Sequence, residues 1–233
     1  MLSTDVVCLF DRNGLSAYDW ALNGYNVYCY DILNTSYEER DVGLGKIYFM
    51  FWDAKNKQST ETLIEYHKNR TAIVLGFPPC DDLAASGAKH FKNKSLIDPE
   101  FQQKAMSLFY VALGVAETLE VPYVIENPVS VVSSIYRKPD CVFHPYHYGG
   151  YLDENDNHPL YPKYIAPRDA YPKKTCYWYG NGFIMPPRKE VIPEEGYSRQ
   201  YKLLGGSSDK TKRIRSMSPR GIAKAIYLFN KKD

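Results

Sequence analysis

Apolar residues along this chain cluster in short runs separated by amphipathic or polar stretches. Residues 5–10, 25–30, 45–52, 71–75 and 121–125 are compact apolar runs of strand length. Between them lie helical spacings. Leu15, Tyr18 and Leu22 predict a helix over residues 15–23, with Gly24 placed to end it. Ser59 is a candidate N-cap for a short helix reaching about residue 69. Asp98 predicts the start of a long helix with Phe101, Ala105, Leu108, Phe109, Ala112, Val115, Ala116 and Leu119 on its apolar side. Ser218 and Pro219 read as the cap and first turn of a C-terminal helix. Strands alternating with helices predict an α/β fold: a mostly parallel sheet with helices on both faces.

Two strand ends carry chemistry. The run 71–75 leads into Gly76-Phe77-Pro78-Pro79-Cys80-Asp81-Asp82, where two prolines end the strand and hold a cysteine just past it. The run 121–125 leads into Glu126-Asn127-Pro128. Ligands of open α/β sheets bind at this carboxyl edge, so a thiol and a carboxyl group can face one substrate there. Buried, inert cysteine is the competing reading of Cys80. The first unit adds strand, turn with Gly14, helix, strand and Asp31, half of a nucleotide-binding unit in which the acid meets a ribose diol. Asp53, after the third run, suits an adenine amino group or a solvated loop.

Composition narrows the class. The chain has 233 residues and a formal net charge of +2, enough for one α/β domain and a small lobe. Five cysteines without a CxxC pair predict a reducing, cytoplasmic setting, and residues near Asp5 carry no basic leader signature. No run is long enough to span a membrane. Cys141, His144 and His147 lack a second ligand pair, so no metal is expected. Residues 137–212 are rich in Tyr, Pro, Lys and Arg. Lys173, Lys174, Lys210, Lys212, Arg213, Arg215 and Arg220 are interleaved with Tyr171, Tyr177, Trp178, Tyr179 and Tyr201. That mixture suits phosphate contact and base stacking, or an ordinary solvated face. The 21 tyrosines fall mostly in the second half and suggest a tyrosine-rich surface.

The ordered set Leu9-Phe10, Gly14, Gly24, Asp31, Pro78-Pro79-Cys80, Ser86-Gly87 and Glu126-Asn127-Pro128 resembles the DNA (cytosine-5)-methyltransferase family, above all its short bacteriophage-type forms. The likeness continues through residues 144–149, 174–178 and 215–225 and covers most of the chain. It implies a Rossmann-like class I methyltransferase fold. Residues 1–136 would bind cofactor and catalyse, 137–212 would be a small target-recognition-like segment, and 213–233 a helix packing back beside the cofactor turn. It implies Cys80 as nucleophile and Glu126 as acid, with Asn127 fixing their loop. S-adenosylmethionine would lie among Phe10, Gly14, Asp31, Ile32, Asp53 and Pro78. DNA, duplex or single-stranded, would meet Ser86, His147, Lys173, Lys174, Arg213 and Arg215, in the cytoplasm of a host cell if phage-encoded. The target base would be flipped out of the stack. The chain departs from the family at Arg12, at Asp81 and in lacking the Gln-x-Arg-x-Arg motif. C5 modification of a free pyrimidine nucleotide, or a catalytically inactive methyltransferase-like binding or anti-restriction protein, are the alternatives left open.

Overall fold

The computed structural model describes residues 4–206 and 208–232. The chain order is β1 (Asp5–Leu9), a 3-10 turn (Leu15–Ala17), α1 (Tyr18–Leu22), β2 (Asn26–Asp31), β3 (Glu38–Val42), β4 (Gly45–Phe51) and α2 (Lys57–His67). It continues with β5 (Thr71–Gly76), a 3-10 turn (Ala85–His90), α3 (Phe91–Ile97), α4 (Phe101–Leu119), β6 (Tyr123–Pro128), α5 (Val132–Ile135) and β7 (Cys141–Phe143). After 3-10 turns at Pro145–Tyr151 and Pro167–Asp169 come β8 (Thr175–Gly180), α6 (Arg199–Leu203), α7 (Asp209–Arg215) and α8 (Arg220–Asn230).

One eight-stranded sheet runs β3-β4-β2-β1-β5-β6-β8-β7. The five strands from β4 to β6 are parallel, while β3 and β8 run antiparallel to their neighbours. β1 and β5 are buried at every residue because helices cover both faces. One face packs Trp20 and Ala21 of α1 and Ile222, Ala225 and Ile226 of α8 against Val6, Cys8 and Val27. The other packs Phe109, Ala112 and Ala116 of α4 against Val7, Leu9 and Val74. A satellite core of Ile165, Ala166, Tyr171, Leu204, Ile214 and Met217 builds a small lobe. No helix among the described residues is long and apolar enough to cross a membrane.

Several local expectations change. The first helix presents Trp20 and Ala21 inward, and Tyr18 and Leu22 are exposed, because the 3-10 start rotates the buried face. Asn56, not Ser59, caps α2: its Oδ1 accepts the Ser59 N–H at 3.2 Å. α4 starts at Phe101, and Asp98 accepts the Glu100 N–H from outside the helix. Ser218 does not cap α8; Pro219 holds the cap position and the Gly221 N–H donates to Asp169 Oδ2 at 2.8 Å. The expected division at residue 137 is not a break in the sheet, since β7 and β8 extend it beyond β6. Many tyrosines are core residues rather than surface: Tyr28, Tyr30, Tyr123, Tyr148, Tyr171 and Tyr177 are all buried.

Buried imidazoles tie loops to this frame. His67 accepts the Tyr30 hydroxyl on Nε2 at 2.8 Å and meets Asp5 through Nδ1, locking α2 to β1 and β2. In the lobe, His158 Nδ1 accepts the Leu160 and Tyr161 N–H groups, and burial lowers its pKa to about 4. The fold therefore favours neutral His158, and that stability is present above the ordinary value of about 6.5 and is lost as pH falls through about 4. Urea unfolding across this window should show the decline, and His158→Asn, which keeps an acceptor but cannot titrate, should flatten it. Equal pH profiles for the two proteins would refute the role.

Candidate active site

The direction of winding reverses between β1 and β5, so a crevice opens outside their carboxyl ends. The topology brings most of the chemically interesting residues to this edge. Phe10 follows β1, Asp31 ends β2, Asp53 follows β4, Pro78 and Cys80 follow β5, and Glu126 and Asn127 end β6. Because β8 is antiparallel, Lys173 and Lys174, which precede it, arrive at the same edge.

Cys80 is held by its neighbours on both sides. Gly76 pairs with Ile125, so the two strands end together, and Glu126 is near enough for its charge to act on Cys80. The Asn127 side-chain amide donates to Pro78 O at 3.2 Å, inside the protein. The Cys80 carbonyl accepts the Leu83 and Ala84 N–H groups, and Leu83 is fully buried. Ala85 N–H then donates to Val129 O and Val131 N–H to Leu83 O, stapling the cysteine loop to the segment after β6. Asp82 is paired with Lys94 of α3, and Ser86 is exposed in the 3-10 turn that follows.

Electrically the centre is a thiol, a carboxyl and an ammonium. Burial pushes the Cys80 thiol up to about 11, with Glu126 and Asp81 adding to the rise and Lys173 opposing it. Burial also raises Glu126, again against Lys173. Lys173 Nζ donates to the Arg215 carbonyl at 2.9 Å, which keeps its charge in place. Its sequence neighbours suggest a phosphate contact; its position puts its charge on Cys80 and Glu126. No local pattern announces that, because it depends on β8 folding back beside β6. Arg213 and Lys174 are exposed, and the Arg215 guanidinium donates to Leu204 O at 2.7 Å.

The other end of the edge is acidic and partly apolar. Phe10 has φ 61° and its ring lies edge-on to Trp52 at 4.9 Å. Asp31 accepts the Leu33 N–H at 2.8 Å; burial raises its pKa, while that bond and the Arg12 charge hold it down. Ile32 is exposed, and Asp53 accepts the Lys55 N–H. Asp11, first residue of the expected Asp11-Arg12-Asn13-Gly14 turn, builds it: its Oδ1 accepts the Asn13 and Gly14 N–H groups and its Oδ2 the Ser16 hydroxyl. Asp-x-Asn-Gly is the turn signal that identifies it. Gly14 sits at φ 69°, where a side chain would be strained and its Cβ would press on Ile47 at 3.0 Å.

The remaining expected contacts divide. His147 is buried within the Pro145–Tyr151 turn, and its Nδ1 accepts the His144 N–H at 3.3 Å. Arg220 is not free for phosphate, because it forms a two-pronged pair with Asp156, one bond at 2.8 Å. Tyr171, Tyr177 and Trp178 are buried and offer no face to a base; Tyr201 is 77% exposed. Cys8, Asp11 and Cys29 bring donor atoms within 4.8 Å of one another. Both Asp11 oxygens are already engaged and burial holds Cys29 well above the ordinary thiol range, so the trio is poorly suited to a cation. Beside Glu126, between Phe77, Tyr177, Pro219 and Ile226, lies a cavity of about 10 Å³, room for one water and not for a base. No family model matches the chain and no curated protein matches it, so its functional reading rests on these residues and their arrangement.

Proposed function

We propose that this chain transfers a methyl group from S-adenosylmethionine to carbon 5 of cytosine in DNA, through a temporary bond from Cys80 to carbon 6. The observation that carries this reading is the convergence of Cys80, Glu126 and Lys173 at one strand edge, with Asn127 tying the two loops together. A second support is the polarity of that edge: Asp31 and Asp53 at one end, Lys173 and Lys174 at the other. The acidic end suits a cationic cofactor and the basic end a polyanion. Phe10 and Ile32 offer apolar surface flanked by the two acids, which fits a nucleoside. Phe10, Gly14, Asp31, Ile32 and Asp53 would hold the cofactor, with Pro78 facing the reacting centre. When bound, S-adenosylmethionine supplies the methyl group.

Carbon 5 of cytosine is a poor nucleophile. The Cys80 thiolate gives an electron pair to carbon 6, and Glu126, whose hold on a proton burial strengthens, gives that proton to N3. Carbon 5 becomes the nucleophilic end of an enamine and would take the methyl group as the sulfonium's carbon–sulfur bond breaks, its electron pair staying on the neutral thioether that leaves. A solvent base then removes the carbon 5 proton, the electron pair expels the thiolate, and N3 returns its proton to Glu126. Protonation of Glu126 also removes the negative charge that opposes the thiolate, so one proton serves both events. A pyrimidine needs more than the space beside Glu126, so base entry requires the surrounding groups to part.

One observation favours a second reading, a binding protein without catalysis: the Cys80 thiol at about 11, beside Asp81. Incubation with labelled S-adenosylmethionine and single-stranded DNA, duplex DNA, RNA or dCMP separates the cases. Label on carbon 5 of DNA cytosine is expected. Label on dCMP alone, or on nothing although both ligands bind, would sink the proposal. Asp31→Ala should weaken cofactor affinity at least tenfold by calorimetry, about 1.4 kcal/mol; unchanged affinity would move the nucleoside elsewhere.

A further inference from the structure

Residues 158–218 hold twelve lysines and arginines against five acids. A chain with a formal net charge of +2 therefore concentrates +7 in this segment, which contains the lobe and β8. Tyrosine rings accompany the charge at two stations. At the first, Lys163 Nζ lies 5.8 Å and Lys210 Nζ 5.3 Å from the Tyr164 ring. At the second, Tyr197 and Tyr201 have ring centroids 6.3 Å apart, and Lys202 Nζ lies 5.6 Å from Tyr197. Tyr201 is 77% and Tyr197 43% exposed. The stations are tied together, because Arg199 donates to Pro162 O at 2.8 Å, next to Lys163. Arg199 also engages Glu194 through two bonds, which neutralises that acid. Lys202 faces Glu195 only at 3.8 Å across an exposed gap.

We propose that this face of the lobe binds an unpaired nucleic-acid strand, stacking bases on Tyr197 and Tyr201 and holding phosphates with Lys163, Lys202 and Lys210. Exposed rings read base faces, and a duplex hides those faces between neighbouring pairs. Lysines around the rings supply positive charge for the phosphates that run beside stacked bases. The lobe's helices, α6 and α7, have five and seven residues, so neither offers a long element to lay in a groove. Lys173, bonded to Arg215 of α7, connects this face to the reacting centre. The inference deepens the proposed function by naming the strand state of its substrate, and rests on that reading for its catalytic meaning only.

Fluorescence anisotropy with a labelled strand of about 20 nucleotides and the matching duplex tests it. The wild-type chain should bind the single strand at least about tenfold tighter. Tyr197→Ala with Tyr201→Ala should weaken single-strand binding roughly tenfold or more while leaving the salt slope unchanged. Lys163→Ala, Lys202→Ala and Lys210→Ala together should flatten that slope by about two. Tyr201→Phe should bind like wild type, and Tyr201→Trp should lose emission when the strand is added. Equal or tighter duplex binding, or full affinity without the rings and an unquenched Trp, overturns the proposal. Methyl transfer to duplex DNA with no stacking would overturn it and spare the active site. Strand binding without any methyl transfer would do the reverse.

Discussion

DNA carrying 5-fluorocytosine should leave the wild-type chain covalently attached on a denaturing gel when S-adenosylmethionine is present. Fluorine cannot leave carbon 5 as a proton does, so the bond from Cys80 to carbon 6 persists. Cys80→Ser should abolish the adduct while cofactor affinity stays unchanged. Glu126→Gln should slow trapping by at least about a hundredfold, because the amide cannot protonate N3. Its shape is retained, so melting should barely move. Burial pushes the thiol up to about 11, so the thiolate is a minor species at pH 8 and grows as pH rises. The trapping rate should therefore rise with pH until Glu126 loses its proton. Lys173→Met removes a cation that favours both the thiolate and the Glu126 carboxylate, so it should slow trapping and move the rise to higher pH. Firm binding of both ligands with no adduct and no methyl transfer would leave the noncatalytic reading standing.

Residues that end strands were legible in the sequence; residues placed by chain return were not. β1, β2, β4, β5 and β6 are apolar runs because parallel strands under two helix layers are buried from both sides. β3 is Glu38–Val42, exposed except at its last residue, and an edge strand like this carries no apolar signal. β8 puts Cys176 and Trp178 on one face and Tyr177 on the other, and in a basic stretch those aromatics mimic a stacking surface. Chemical type was therefore readable at Cys80 and Glu126, where it coincides with a strand end. The chemical type of Lys173 was equally plain, but its role depends on β8 returning beside β6 and on the hold of the Arg215 carbonyl. Helix starts moved for a similar reason: Asp169, distant in sequence, satisfies the α8 N–H group that Ser218 would otherwise meet.

Replacing Gly221 by alanine should be severely destabilising although the position is helical. A Cβ there would lie 2.5 Å from the Tyr148 carbonyl oxygen and 2.9 Å from its carbon, with Gly149 N at 3.3 Å. All three are backbone atoms of the Pro145–Tyr151 turn, which is buried along most of its length and cannot yield as a side-chain tip would. α8 must move outward instead. That motion stretches the Gly221 N–H bond to Asp169, a fully buried carboxyl whose other oxygen has no partner among the described residues. It also loosens Tyr227 from Trp20, now 5.3 Å apart, and parts Pro219, Ala223 and Ile226 from the space beside Glu126. Overpacking combined with a weakened buried bond should cost at least about 3 kcal/mol. For a chain of this size that lowers the melting temperature by about 6–12 °C. Gly114 supplies the opposite case. It lies inside α4, is exposed, and a Cβ there meets nothing within 4 Å. Gly114→Ala should therefore stabilise by about 0.5–1 kcal/mol, since alanine restricts the unfolded chain and favours helix. Thermal melts of the two variants beside wild type check both signs. A Gly221→Ala protein that melts with wild type would mean that α8 is not seated against the Tyr148 backbone as described.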